Sequence, residues 1–184
     1  MFTIKDYVEA EIIEKKSRFI CQIKHSESEE EALNFIAEVK RKRSQARHNV
    51  YAYVVKQANC NTERIRFTDD GEPSQTAGKP TLQMLQHENL SQVSCVVTRY
   101  FGGTLLGTGG LVRAYSSAVK AAIEKAKAER EFIEMVAMQN FKKTLSYSEF
   151  GSLKHAIEKQ GGIIDEVAYL ENVDVSYRLP RVEP

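Results

Sequence analysis

The stretches TDDGEPSQTAGKP (Thr68–Pro80) and TRYFGGTLLGTGGLVRAY (Thr98–Tyr115) decide the fold of this chain. Both are rich in glycine and other turn-forming residues, which let a backbone come close to a neighbouring segment or a ligand. The first is polar and is expected to be an exposed loop, and functional residues concentrate on loops held by a rigid scaffold. We therefore expect the functional site at these two stretches.

The composition is that of a globular protein of one or two domains, because 42% of the 184 residues are hydrophobic. Its 26 Lys and Arg residues nearly balance its 25 Asp and Glu residues, so any basic surface must be local. Cys21, Cys60 and Cys95 form no CxxC motif, which fits a reducing cytoplasm, and Cys21 and Cys95 lie in apolar strand-like runs where they are predicted to be buried apolar residues. Without a signal peptide or an apolar run near the ~18 residues of a membrane span, a cytoplasmic protein with no membrane partner is predicted.

Apolar periodicity predicts an α/β (α+β) fold, with strands and helices interleaved in the first part of the chain. Ser28 and Glu31 form a capping box that begins the first helix. The continuous apolar run within Val93–Phe101 predicts a central strand. The predicted elements are strands Val8–Ile13 and Arg18–Ile23, a helix after Ser28, strands Asn49–Val55 and Arg64–Thr68 around a turn at Lys56–Glu63, a helix Pro80–His87, strand Val93–Phe101, a loop Gly102–Gly110 and a helix Leu111–Ala128.

A second, smaller domain is predicted after the charged stretch Lys125–Glu131, dividing the chain into residues 1–130 and 131–184. Its pattern is β-α-β-β: strand Glu134–Leu145, a helix capped by Ser146 and Glu149, and a hairpin of strands Ile163–Tyr169 and Asp174–Leu179. A complete split βαβ domain of the ferredoxin-like type adds a helix and a strand, so this unit is interpreted as truncated.

Three carboxylates, Asp69, Asp70 and Glu72, make the first stretch acidic. Carboxylate oxygens suit Mg²⁺, but Asp70-Gly71 is also a favourable turn, and the loop has no EF-hand ladder. Two interpretations stay open: turns with ion pairs to Lys79 or Arg99, and a ligand or metal role. No metal ligand and no cofactor is assigned.

The glycine-rich loop Gly102–Gly110 lies between a predicted buried strand and a helix, the setting in which backbone N–H groups bind anions. It is not a Walker loop, because Thr108 stands where the lysine belongs, and it does not fit GxGxxG. A tight crossover needing glycine for packing is the equal alternative. Arg113 is predicted in the first helical turn, where the dipole disfavours a cation, so a specific partner is expected. The predicted phosphate- or nucleic-acid-binding residues are Lys79, Arg99, Gly102, Gly103, Gly107, Thr108, Gly109, Gly110 and Arg113.

A dense basic run ends the first helix and is a second candidate surface for a nucleic-acid backbone. The alternative is a solvated helix end. Tyr51 and Tyr53 alternate in the next strand, where one face can stack bases or simply cover the sheet. HExxH and GxSxG motifs are absent, so no catalytic residue is assigned and an enzyme is not the favoured interpretation. The basic candidates are Lys40, Arg41, Lys42, Arg43, Arg47 and His48.

Residues from about Ser17 to Ala128 resemble the YigZ/IMPACT family. The resemblance lies in Arg47-His48-Asn49 with Tyr51-Ala52-Tyr53, in DDGEPSQTAGKP and in RYFGGTLLGTGGLVRAY, with Val50 and Gln75 as mild departures. It implies a first domain similar to domain IV of elongation factor G and a ferredoxin-like second domain similar to domain V. Eukaryotic members act in translational control through partner proteins, with an additional N-terminal module that this sequence lacks.

The favoured hypothesis is a protein that binds RNA or a ribosome-associated surface and regulates translation. Phosphates would lie on the Gly102–Gly110 loop beside Lys79, Arg99 and Arg113, on one face with the basic run. An enzyme acting on a small phosphorylated or nucleotide substrate, and a module that binds a protein partner, are the alternatives.

Overall fold

The computed structural model describes residues 1–56 and 62–181, so most of the predicted turn Lys56–Glu63, including Cys60, lies outside the described residues. Two compact units, Met1–Glu134 and Met135–Pro184, make up the chain. The elements are β1 (Phe2–Ile4), β2 (Tyr7–Glu14), β3 (Ser17–His25), α1 (Glu29–Lys42), β4 (His48–Lys56), β5 (Glu63–Thr68), α2 (Gly78–His87), β6 (Val93–Tyr100), α3 (Gly107–Ala128), β7 (Phe132–Glu134), β8 (Met138–Leu145), α4 (Tyr147–Lys159), β9 (Ile163–Tyr169) and β10 (Val173–Pro180).

A five-stranded antiparallel sheet, in the order β2-β3-β6-β4-β5, is the scaffold of the first unit. Side chains alternate across a strand, so β6 contributes to two cores. Val93, Cys95 and Val97 pack in the core formed with α2 and α3, whereas Val96 packs with the apolar face of α1. Helices thus cover both faces, and the predicted central position of β6 is confirmed.

Local signals place the first helix and hairpin as predicted. The side chain of Ser28 accepts a hydrogen bond from the Glu31 backbone N–H at 3.2 Å, which caps α1. Acidic residues in the first turn of α1 and basic residues in its last turn complement the helix dipole. Lys15 and Lys16 both adopt positive φ, at 46° and 67°, in the two-residue turn between β2 and β3.

The prediction that Gly102–Gly110 is entirely loop is wrong, because α3 begins at Gly107 and not at Leu111. The glycine-rich segment Gly107–Gly110 is tolerated in α3 because it lies at the very start of the helix, where Gly107 has φ +71°. Burial of Leu106 and Leu111 against the core outweighs the low helix propensity of glycine. Arg113 therefore lies in the second turn of α3, and the dipole argument for its having a specific partner fails.

Two short strands were not predicted. Phe2–Ile4 pairs antiparallel with Phe132–Glu134, and the aromatic rings of Phe2 and Phe132 lie 4.9 Å apart. Three residues are too few for a periodicity to be recognised in the sequence. The pairing attaches the end of α3 to the start of the chain.

The second unit is a three-stranded antiparallel sheet in the order β8-β10-β9, with α4 connecting β8 to β9. Ser146 and Glu149 form both hydrogen bonds of the predicted capping box. Leu145, Val173 and Val175 form the buried core. This is the predicted β-α-β-β pattern of a ferredoxin-like unit, and the α+β fold class is confirmed.

Candidate functional site

The two glycine-rich stretches meet at a cleft of about 380 Å³ in the first unit. Its walls come from the start of β4, the acidic loop, the end of β6 and the first residues of α3. One part is polar, with Arg47, His48, Glu72, Arg99 and Thr108. The other is apolar, with Pro73, Phe101, Leu105, Leu106 and Leu111. A few polar groups in a largely apolar concavity are typical of a small-ligand site.

A buried ion pair forms one wall of the cleft. Arg99 Nη1 donates to Glu72 Oε1 at 2.7 Å, and the Tyr115 hydroxyl donates to the same oxygen at 2.8 Å. Only 5% of Arg99 is exposed, so its charge is compensated inside the protein. Burial and the Glu72 carboxylate raise the pKa of Tyr115 far above its ordinary value, which keeps its hydroxyl a hydrogen-bond donor.

The Arg99 side chain retains unused hydrogen-bonding capacity. Its Nε atom has no hydrogen-bond partner among the described residues, although the atom is buried. Its guanidinium carbon lies 5.5 Å from the ring centres of both Phe19 and Phe101. Of the two interpretations left open for Arg99, the internal ion pair with the acidic loop is formed, while the residue still lines the cleft.

His48 is held in one orientation at the cleft. Its Nδ1 lies 2.8 Å from the backbone carbonyl oxygen of Asp70, and because a carbonyl only accepts, Nδ1 is the protonated nitrogen. The other ring nitrogen, Nε2, lies 3.9 Å from Glu72 Oε2. In the neutral ring Nε2 is therefore a hydrogen-bond acceptor.

The other two acidic residues shape the loop. Asp69 accepts hydrogen bonds from the backbone N–H groups of Gln75, Ala77 and Gly78, at 2.8, 3.0 and 2.8 Å, which caps α2 from outside its own sequence. Asp70 accepts from Lys40 Nζ at 2.8 Å and from the Asn49 N–H at 2.6 Å.

In residues 1–56 and 62–181, no group of three or more His, Cys, Asp or Glu side chains is arranged to hold a metal ion. No helix in these residues is long and apolar enough to cross a membrane.

Gly102 allows the segment between β6 and α3 to lie against the hairpin turn that precedes β3. A Cβ atom on Gly102 would lie 2.0 Å from the carbonyl carbon of Lys16, so no other residue fits there. The Gly102 N–H donates to Ser17 Oγ at 3.2 Å, and the buried Ser17 hydroxyl also lies 3.5 Å from Arg99 Nη2. This close approach positions the start of α3 at the cleft.

The N-terminus of α3 opens on the cleft through Gly107 and Thr108. The first N–H groups of a helix have no acceptor inside it. Leu106 gives α3 no side-chain cap, and its first turn carries no acidic residue. The remaining predicted glycines do not line the cleft: Gly103 lies in the preceding loop, and Gly109 and Gly110 lie in the first turn of α3.

The predicted cations are distributed unevenly around this site. Lys79 is exposed and donates to Gln75 Oε1 at 3.0 Å, and Arg113 is exposed on α3. Neither lines the cleft.

In the basic run, each of three side chains forms an ion pair with a carboxylate: Lys40 with Asp70, Lys42 with Glu38, and Arg43 with Glu9. Arg41 and Arg47 are both exposed, but Arg41 lies on α1 and Arg47 lies at the cleft.

The two tyrosines of β4 do not present an open stacking surface. Their rings lie 6.4 Å apart and nearly parallel, on the side of the sheet that α1 covers. Tyr53 is buried and donates to Glu29 Oε1 at 2.5 Å, and Lys40 Nζ lies 5.6 Å from the ring centre of the half-buried Tyr51.

Several residues of the site were not identified from the sequence, among them Tyr115, Phe101 and Leu105. Tyr115 lies at helical spacing from Leu111, Ala118 and Ala122, which indicates a buried side chain, and a buried tyrosine hydroxyl needs a polar partner. Phe101 and Leu105 gave no signal, because isolated apolar residues in a loop have no periodicity.

Known proteins are similar to this chain in sequence. The Impact N-terminal domain model matches residues 15–123. IMPACT family member YvyE of Bacillus subtilis strain 168 is 37% identical over 173 residues, which are 94% of this chain and 76% of that protein. IMPACT family member YigZ of Escherichia coli K12 is 42% identical over 117 residues, 64% of this chain and 57% of that protein.

A solved structure shares the fold. It is described as the crystal structure of an hypothetical protein and aligns with a TM-score of 0.65 at 31% identity, over 97% of this chain and 84% of that one. The family resemblance predicted from the motifs is confirmed, and the chain belongs to the IMPACT family.

Proposed function

We propose that this protein binds RNA, free or within the ribosome, through phosphate contacts at the cleft, and regulates translation in this way. The observation that carries the proposal is that the uncapped N-terminus of α3 opens on the same cleft as Arg47 and Arg99. A helix N-terminus carries partial positive charge, and the exposed guanidinium of Arg47 beside it favours a phosphate group. The setting in translation is the one that the family resemblance implies.

The cations of the cleft have different roles in this proposal. Arg47 is exposed at the rim and is the side chain that contacts phosphate directly. Arg99 is paired with Glu72, and its unused Nε–H contributes positive potential from behind. Arg99 is therefore a poor first target for mutation, since its removal leaves a buried carboxylate unpaired.

The test is a fluorescence-anisotropy titration of single-stranded RNA across a salt series, with wild type, Arg47→Ala and the matched control Arg41→Ala. Both arginines are exposed, but Arg41 lies on α1 outside the cleft. We expect Arg47→Ala to lower the slope of log affinity against log salt concentration by about one, and Arg41→Ala to leave it unchanged.

Three results would contradict the proposal. Loss of the slope with Arg41→Ala alone would assign binding to the basic run at the end of α1. Binding that neither variant changes would exclude phosphate contact at the cleft. Absence of binding at low salt would remove RNA as the partner and favour a protein partner.

A further inference from the structure

Two hydrogen-bond acceptors without donors lie together at the polar wall of the cleft. Glu72 Oε1 already accepts from Arg99 and Tyr115, whereas Oε2 accepts no hydrogen bond from the described residues. In the neutral ring, His48 donates through Nδ1 to a backbone carbonyl, which leaves Nε2 as an acceptor. These two free acceptors are 3.9 Å apart.

Two facing acceptors can be bridged by a single donor from outside the protein. The Glu72 side chain is only 3% exposed, so little water reaches Oε2, and a donor from a bound molecule would be favourable there. An NH₂ group has two N–H bonds and can donate one to each acceptor across such a separation. A carbonyl oxygen at the same place would meet two acceptors and be repelled.

The cleft also provides an apolar wall and an anion site. Phe101 and Leu105 are exposed at its edge, at 45% and 83%, although both are large apolar residues. The anion site proposed above is the start of α3 with Arg47. A volume of about 380 Å³ lies at the lower end of small-ligand sites and suits one such molecule.

From these three features we infer that the cleft receives a single unpaired nucleotide whose base carries an exocyclic amino group. The amino group donates to Glu72 Oε2 and His48 Nε2, the base lies against Phe101 and Leu105, and the phosphate lies at the start of α3 beside Arg47. This inference rests on the proposed function and names the part of the RNA that enters the site.

The test compares nucleotides that differ at the amino group, by isothermal titration calorimetry on the full chain. AMP and IMP form one pair, and CMP and UMP form the other, because an oxo group replaces the amino group in the second member of each. We expect AMP and CMP to bind at least about tenfold more tightly than IMP and UMP. Phe101→Ala is expected to weaken AMP binding about tenfold.

Variants of the two acceptors sharpen the test. Glu72→Gln replaces Oε2 by an NH₂ donor while its amide oxygen still accepts from Arg99 and Tyr115, so the preference should vanish or reverse toward IMP. Because this variant also removes the counter-charge of Arg99, His48→Phe is a second test variant. The preference of His48→Phe for AMP over IMP should fall below about threefold. His87→Phe, on the exposed end of α2, is the matched control and should keep the wild-type preference.

The outcomes separate this inference from the proposed function. Equal affinity for AMP and IMP, with RNA binding that still depends on Arg47, would overturn the inference alone. A preference that His48→Phe leaves intact would also overturn it. Binding of AMP without binding of RNA would overturn the proposed function while supporting the amino-group site, and no binding of either would overturn both.

Discussion

Two Arg–Glu–Tyr clusters lie on opposite faces of the same sheet, and they differ in exposure. On the α1 face, Glu29 accepts from Tyr53 and pairs with Arg64 at 2.8 Å, with the two charged side chains 33% and 38% exposed. On the α3 face, Glu72 accepts from Tyr115 and pairs with Arg99, with side chains 3% and 6% exposed. The same chemistry is therefore screened by water in one cluster and desolvated in the other, and the desolvated one borders the cleft.

Removing the arginine from each cluster tests this difference and should give the largest effect. Arg99→Leu leaves the Glu72 carboxylate buried without a counter-charge, and we expect it to lower the free energy of unfolding by about 3–5 kcal/mol. Arg64→Leu leaves Glu29 in contact with water, so the urea midpoint of this variant should stay close to that of wild type. Urea denaturation followed by circular dichroism measures both.

The double variant Arg99→Leu with Glu72→Leu is the control for the first prediction. Replacing both charges removes the unpaired carboxylate, so stability should recover in part. Equal losses in Arg99→Leu and Arg64→Leu would show that the two clusters do not differ in desolvation.

Removing the tyrosine hydroxyls should give a smaller effect in the same direction. Tyr115→Phe takes one of two donors from a buried carboxylate, and a hydrogen bond to a charged group contributes about 1.5–3 kcal/mol. Tyr53→Phe removes a donor from a carboxylate that water reaches, so its loss should be smaller. The comparison is made by urea denaturation at neutral pH, and a larger loss in Tyr53→Phe would contradict it.

Sequence reasoning predicted the sheet and helices well but located the site incompletely. The apolar run of β6, the N-cap at Ser28 and the capping box at Ser146 are local signals, and the structure agrees with each, although at Ser28 the Glu31 side chain accepts from the Glu27 N–H and not from that of Ser28. The pairing of Arg99 with Glu72 was one of two open interpretations, because residues 27 positions apart are brought together only by the fold. The predicted start of α3 is four residues late, because the low helix propensity of glycine argues against a helix over Gly107–Gly110 and the burial of Leu106 and Leu111 outweighs it.

Alkaline pH should separate the clusters in a third way, with the smallest effect. Burial and the hydrogen bond to Glu29 raise the pKa of Tyr53 to about 12, above the ordinary value of 10. The folded state therefore favours the neutral phenol, and this contribution is present below pH 10 and lost as the pH rises from 10 to about 12. The difference in unfolding free energy between wild type and Tyr53→Phe should shrink over that range. For Tyr115→Phe the difference should persist to higher pH, because the pKa of Tyr115 is raised further.

Urea denaturation at a series of pH values measures both differences, and the subtraction removes the titration of lysines common to each pair. A difference for Tyr53→Phe that stays constant up to pH 12 would mean that the Glu29 cluster, although exposed, holds its tyrosine as firmly as the buried one.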